Sequence, residues 1–225
     1  MRIVNQSVAL EFITPDAACL IERAGRTCYK SADKINGDSA AKFIRMLLTR
    51  EHHSVIEHAH ATFRVICDRG VSHEFVRHRL MSYSQESTRY CNYAKEKYGN
   101  EITVIEPPGL QAMDREEWLR AVTESETVYL RMIDRGCKPE IARSVLPTCL
   151  KTELVATANF REWMHFLKMR TSPKAHPQMR EVAMLIRATL ANECPSLFVP
   201  YVAQLLEGGD LQSQPDHAHV GANKG

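Results

Sequence analysis

The amino-acid sequence predicts the α+β class, with helices and strands interleaved in one domain. Three observations carry this. Apolar residues recur at helical spacing in some stretches and alternate in others, and the two kinds follow one another along the chain. The Gly-rich strand-turn-helix unit of a dinucleotide-binding sheet is absent. The 225 residues are 44% hydrophobic and 25% charged, enough apolar material for a core that needs no disulfide or metal staple.

The elements follow in order. "MRIV" and "VALEFIT" read as short strands. "TPDAACLIERAG" reads as a helix capped by Thr14, with Pro15 at its first position and Gly25 closing it. Ser39 opens a second helix through Phe43, Ile44, Leu47 and Leu48. In "AHATFRVICD", Ala61, Phe63, Val65 and Cys67 alternate with polar residues, the pattern of a strand. Ser72 is placed to cap "HEFVRHR", with Val71 and Val76 as a hydrophobic staple. "EITVIEPPG" is a strand ended by two prolines. Asp114 to Gly136 is the clearest helix, with Trp118, Val122, Tyr129, Met132 and Ile133 on one face. Pro139 starts a short helix that stops at Pro147, and "TCLKTELVATA" alternates as a half-buried strand. Asn159 and Glu162 have capping-box spacing before "FREWMHFLKMR". A last helix is expected from about Pro177 to Cys194. The domain therefore spans 1–207, and the polar, Gly-containing stretch 208–225 is expected to be a flexible tail.

The net charge of +2 gives no case for a nucleic-acid protein driven by bulk charge, so anion binding must come from local clusters. No apolar run approaches the ~20 residues that span a bilayer. The first residues show no signal peptide. Seven dispersed cysteines without a C-x-x-C fit a reducing cytoplasm.

Four stretches carry candidate chemistry. "RHRLMSYSQESTRY", residues 77–90, gathers Arg77, Arg79, Ser87 and Arg89. Guanidinium forks and hydroxyls are the groups that hold a phosphate dianion, and Gln85 suits the amide edge of a ring. The alternative is a solvated loop with ordinary salt bridges. "HHSVIEHAH" offers His52, His53, His58 and His60, but it lacks H-E-x-x-H and an evident third ligand. Structural histidines or hydrogen-bond donors to a cofactor fit it better than a metal does. In "NFREWMHFLKMR", Arg161 and His165 share one helix face; alone, this reads as an amphipathic helix. Finally, no G-x-S-x-G elbow and no Cys-His pairing marks a nucleophile, so the cysteines read as inert.

The spacing Arg77-His78-Arg79, seven residues, Ser87, one residue, Arg89 is R-H-R-x7-S-x-R. It resembles the signature of the flavin-dependent thymidylate synthases. "HHSVIEHAHATF", "IARSVLP" and "NFREWMHFLKMR" followed by "HPQMREVA" are similar to further segments of that family. The resemblance runs from about residue 20 to 200 and implies a single domain of mixed helices with a mostly antiparallel sheet. It implies reductive methylation of dUMP to dTMP, with methylenetetrahydrofolate as carbon donor and NADPH-reduced FAD as hydride source. It further implies a homotetramer with FAD sites shared between subunits. By the same resemblance Ser54, Arg77, His78, Arg79, Gln85, Asn159, Arg161, His165 and His176 would meet FAD. Glu74, Arg77, Gln85, Glu86, Ser87, Thr88, Arg89 and Arg143 would meet dUMP, with Arg143 on the phosphate. Arg170 would lie beside the uracil and stabilise negative charge at N3, which makes C5 a better carbon nucleophile. No metal, nucleic acid or membrane partner is implied. Two other readings stand beside it. One is an RNA-binding module stacking bases on Tyr83, Tyr90 and Tyr93. The other is a metal-dependent nucleotide hydrolase using the His52–His60 cluster.

Overall fold

The structure is a computed structural model of the chain and describes residues 1–207. The stretch 208–225, expected to be a tail, lies outside the described residues. The chain runs β1 (Arg2–Val4), β2 (Ser7–Ile13), α1 (Ala17–Cys28), α2 (Ser39–Thr49), a 3-10 segment (His53–His58), β3 (His60–Asp68) and α3 (Arg69–Phe75). It continues through β4 (Ser82–Gln85), β5 (Thr103–Ile105), α4 (Ala112–Asp134), α5 (Pro139–Ala142) and β6 (Lys151–Asn159). The described residues close with α6 (Phe160–Arg170), α7 (Pro177–Glu193) and α8 (Pro195–Glu207).

Four strands make an antiparallel sheet in the order β2-β3-β6-β4, and β1 pairs with β5 in parallel. The mixed, mostly antiparallel architecture is therefore as expected. The centre of the sheet is the nine-residue ladder of β3 with β6, from His60 opposite Asn159 to Asp68 opposite Lys151. Period-2 alternation sends Ala61, Phe63, Val65 and Cys67, with Leu154, Ala156 and Ala158, to one buried face. Helices α1, α2, α6, α7 and α8 cover that face, and their apolar sides join it in one core. Trp163 of α6 is the anchor: fully buried, it meets Phe63 edge-on at 5.1 Å and donates from Nε1 to the Ala61 carbonyl at 3.0 Å. A smaller apolar cluster gathers Tyr93, Ile102, Val104, Val122, Tyr129, Ala142 and Leu150 under α4. Its α4 face, Trp118 through Ile133, is the one the spacing predicts.

Three local expectations are corrected. Gly25 does not close α1. It lies inside the helix, where a Cβ would stand 2.4 Å from the Phe43 ring, so the glycine lets α1 and α2 approach. Helix α1 also begins later than Pro15, after Asp16 in a left-handed conformation, and Thr14 instead ties to His60. Ser72 does not cap α3: Asp68 does, accepting from the Val71 N–H at 2.6 Å. With the cap moved upstream, Val76 falls past the helix end and is exposed, so there is no staple. Two elements are additional. Strand β4 lies inside the stretch read as an arginine-rich loop, and α8 follows α7 after a break at Cys194. Among the described residues no helix is long and apolar enough to cross a membrane.

Candidate functional site

Helix α6 follows directly from the end of β6, and Asn159 makes the transition. Its side chain accepts from the Glu162 N–H at 2.9 Å, the predicted N-cap. This fixes the start of α6, and 3.6-residue periodicity then spaces Arg161, His165 and Arg170 along it. Opposite, the chain leaving α3 makes tight turns: the His78 N–H reaches the Phe75 carbonyl at 2.9 Å, and the Met81 N–H reaches that of His78 at 3.1 Å. The Tyr83 hydroxyl from β4 pins the segment by donating toward the carbonyls of Phe75 and His78, at 2.5 and 3.0 Å. Phe75 stacks on Phe166 at 5.0 Å, which locks the α3 end to α6.

A cavity of about 950 Å³ opens between these two pieces. Arg77, His78, Arg79 and Leu80 line it from one side, Asn159, Arg161, Glu162 and His165 from α6, and Glu57 from the 3-10 segment. Arg161 is held by Glu57 at 2.5 Å. Arg77 and Arg79 are exposed and, among the described residues, have no side-chain hydrogen bond or ion pair. His78 is the buried member, 6% exposed, with its ring edge-on to Phe166 and 5.6 Å from the His165 ring. Burial, then the charges of Arg170 and His165, lower its imidazole to about 4, so it is neutral at pH 7. Its Nε2 accepts from Arg170 Nε at 3.0 Å. The same guanidinium donates from Nη1 to Glu74 Oε2 at 2.5 Å and from Nη2 to the Glu74 carbonyl at 3.2 Å. Arg170 is thus a fixed, partly buried cation that does not itself line the cavity but is bonded to His78, which does.

The remaining candidates gather elsewhere. A recess of about 470 Å³ is lined by Arg69, His73, Thr88, Glu140, Arg143 and residues 144, 146–148 and 150. In it Arg143 Nη1 donates to the Thr88 hydroxyl at 3.1 Å, while Arg89 pairs with Glu140 at 3.3 Å. Helix α3 links the two recesses through adjacent residues: His73 belongs to the second, and Glu74 holds Arg170 beside the first. Gln85 and Glu86 line a third, shallower cleft with Arg64 and Glu153. Their functional groups are engaged by residues outside that cleft. The Gln85 amide donates to the Ser72 and Thr152 hydroxyls at 2.9 and 3.1 Å. Glu86 accepts from Lys151 at 2.9 Å and from the Tyr93 hydroxyl at 2.8 Å. Ser54 and His176 are exposed and line neither main recess; Ser87 is half-buried and lines neither.

Among the described residues, His52, His53, His58 and His60 do not fall into a group of three donors close enough to share one ion. Among the described residues, the donor groups near enough to share an ion are His78, Glu162 and His165, within 4.8 Å of one another. Both His78 nitrogens already face partners, Nε2 accepting from Arg170 at 3.0 Å and Nδ1 lying 3.4 Å from Glu162 Oε1. Sequence reasoning took Glu162 for a capping residue. Its N–H does cap, but its carboxyl turns inward to His78. The signal was available: Glu162 is a carboxylate between Phe160 and the buried Trp163, Met164, Phe166 and Leu167. Arg69 and His73 carried no signal, because folding alone brings them to the second recess.

Comparisons with known proteins agree with this geometry. The family described as thymidylate synthase complementing protein matches residues 9–196. The flavin-dependent thymidylate synthase of Corynebacterium efficiens is 31% identical over 93% of this chain and 90% of its own. That of Mycolicibacterium vanbaalenii is 33% identical over 88% and 85%. A crystal structure of the UMP/dUMP methylase PolB from Streptomyces cacaoi, bound with 5-Br dUMP, superposes with a TM-score of 0.77. It covers 90% of this chain and 97% of that one at 24% identity, a likeness of fold. On the strength of the matched residues and the relatives' identity, the chain belongs to the flavin-dependent thymidylate synthases.

Proposed function

We propose that the protein methylates dUMP at C5 of its uracil to give dTMP, with FAD as resident cofactor and methylenetetrahydrofolate and NADPH as co-substrates. The observation that carries this reading is the cavity itself. Two guanidinium groups unpaired among the described residues, Arg77 and Arg79, stand at its wall beside a neutral buried histidine, and a clamped cation, Arg170, is bonded to that histidine.

The residues fit a flavin dinucleotide. A pyrophosphate carries two negative charges, and planar guanidinium forks match it. Arg77 and Arg79 are free to turn to it, and Arg161 joins them on the same cavity. Imidazole and amide side chains of His78, His165 and Asn159 supply ring contacts, with Ser54, Gln85 and His176 assigned to the cofactor as well. The volume of about 950 Å³ suits a large ligand. Leu80, 81% exposed at the mouth, favours a site that another subunit completes, as in a homotetramer. When bound, the reduced flavin supplies the hydride that completes the methyl group.

For the nucleotide, Arg143 takes the phosphate, with the Thr88 hydroxyl already on its Nη1, and Ser87 and Arg89 are its neighbours. Glu74, Gln85 and Glu86 complete the assigned set around the nucleotide, along with Arg77. Arg170 lies against the uracil. Its task is to stabilise negative charge at N3, and a cation fixed beforehand in a water-poor place does this at low reorganisation cost. We assign the enzyme to the cytoplasm, in keeping with its free cysteines.

The test is product analysis. Purified enzyme given dUMP, methylenetetrahydrofolate, NADPH and FAD should form dTMP, and omission of the folate or the reductant should abolish it. Unchanged dUMP under complete conditions would overturn the proposal.

A further inference from the structure

Glu162 is a buried carboxyl group, 6% exposed, on the core side of α6. Its capping duty is met by the backbone N–H alone, so capping does not explain the acidic side chain. A buried carboxyl without a polar partner is costly. Its Oε1 lies 3.4 Å from His78 Nδ1. The other nitrogen of that ring, Nε2, accepts from Arg170 Nε at 3.0 Å. A guanidinium only donates, and it stays protonated in proteins, so Nε2 must be the bare nitrogen. A neutral imidazole has one proton, and here it must sit on Nδ1, the atom that faces Glu162.

We infer that Glu162 is a positioning residue for the methylation: by accepting toward the Nδ1–H of His78, it keeps the Nε2 lone pair on Arg170 and so aims the guanidinium. The inference rests on the proposed place of Arg170 beside the uracil. Without Glu162, the His78 proton is free to move to Nε2. That N–H would face the Arg170 N–H, and the cation would lose the contact on its Nε side. Glu74 would still hold Nη1, leaving Arg170 present but loosely oriented. The expected defect is therefore in turnover, with binding largely kept.

The experiment uses the whole holoenzyme. Long-range proton–nitrogen spectra of histidine-labelled protein, with the His78 signals identified by their loss in His78→Gln, read the tautomer directly. In the wild type at neutral pH, His78 should be neutral with its proton on Nδ1. In Glu162→Leu the proton should shift to Nε2 or divide between the two. In Glu162→Gln the side-chain carbonyl still accepts, so Nδ1–H should persist. Glu162→Leu should lose about 10- to 100-fold in kcat, by analogy with the loss on removing the partner that orients a metal-bound histidine. Its FAD content and its KM for dUMP should stay within about twofold. Glu162→Gln should recover most of the lost turnover. An Nε2–H tautomer in an active wild-type enzyme, or equal kcat losses in the Leu and Gln variants, would overturn this inference alone. A wild type with the Nδ1–H tautomer that forms no dTMP would instead sink the function on which it rests.

Discussion

Arg170 Nε donates to His78 Nε2 at 3.0 Å, and the guanidinium is closed from the other side by Glu74. One residue comes from the end of α6, the other from the turn after α3. Their contact joins the two walls of the cavity. A cation bonded to a neutral ring keeps more of its field for a ligand than one bonded to two carboxylates.

Replacement of Arg170 should separate chemistry from cofactor binding. Arg170→Ala should lower kcat by about 10²–10³-fold, the usual loss for one preorganised electrostatic group. FAD content should remain within about twofold of the wild type. Steady-state kinetics and the flavin-to-protein ratio check this, and parallel losses in both would refute the assigned role.

The neutrality of His78 predicts a pH dependence of stability. Its folded pKa, about 4, lies below its ordinary value of 6.5. Between those values the unfolded chain binds the proton and the fold does not, so stability falls as pH drops through that window. The contribution is on the order of 3 kcal/mol once the window is crossed. Glu162, whose carboxyl burial raises, acts in the opposite sense at the acid end. Urea unfolding of the ligand-free protein at pH 7 and pH 5 should show a steeper loss for the wild type than for His78→Gln. Identical slopes would contradict a buried neutral imidazole.

Among the described residues Arg143 makes one side-chain hydrogen bond, to Thr88, and its charge is left for a phosphate. Arg143→Ala should raise the dUMP dissociation constant about 10- to 100-fold, as for loss of a charged hydrogen bond. Thr88→Val should cost less. Isothermal titration with dUMP measures both, and unchanged affinity in Arg143→Ala would move the phosphate elsewhere.

Gly25 tests the packing of α1 on α2. A methyl group there would meet Phe43 Cε1 at 2.4 Å and Cζ at 2.6 Å, and that ring already carries Arg26 at 4.6 Å. Gly25→Ala should destabilise the fold by about 1–3 kcal/mol through overpacking. A lowered thermal midpoint checks it, and an unchanged or raised midpoint would mean Phe43 moves aside freely.

Much of this was legible before folding. Alternation in 59–68 and 148–158 identified both central strands, because a half-buried pleat forces that pattern. Asn159 announced the start of α6 through its own chemistry. Arg77, Arg79 and Arg89 were visible as a local cluster in a near-neutral chain, whereas Arg161 and Arg143 stood out only through the family resemblance. Other features were not. Strand β4 has too little apolar content to show a period; it is held by its ladder to β6. Gly25 looked like a stop signal because close packing and helix termination favour the same residue. The division of the candidates between two recesses also escaped notice, since nothing local sets His73 and Glu74 to different sites. The tie from Glu162 through His78 to Arg170 spans more than ninety residues of chain and exists only in the fold.

The most direct test of the account is the visible absorption spectrum of freshly purified protein, recorded as dUMP is added. The account predicts oxidised-flavin bands that shift with dUMP in the wild type, with the shift needing far more dUMP in Arg143→Ala. A colourless protein that also fails to take up added FAD would contradict it.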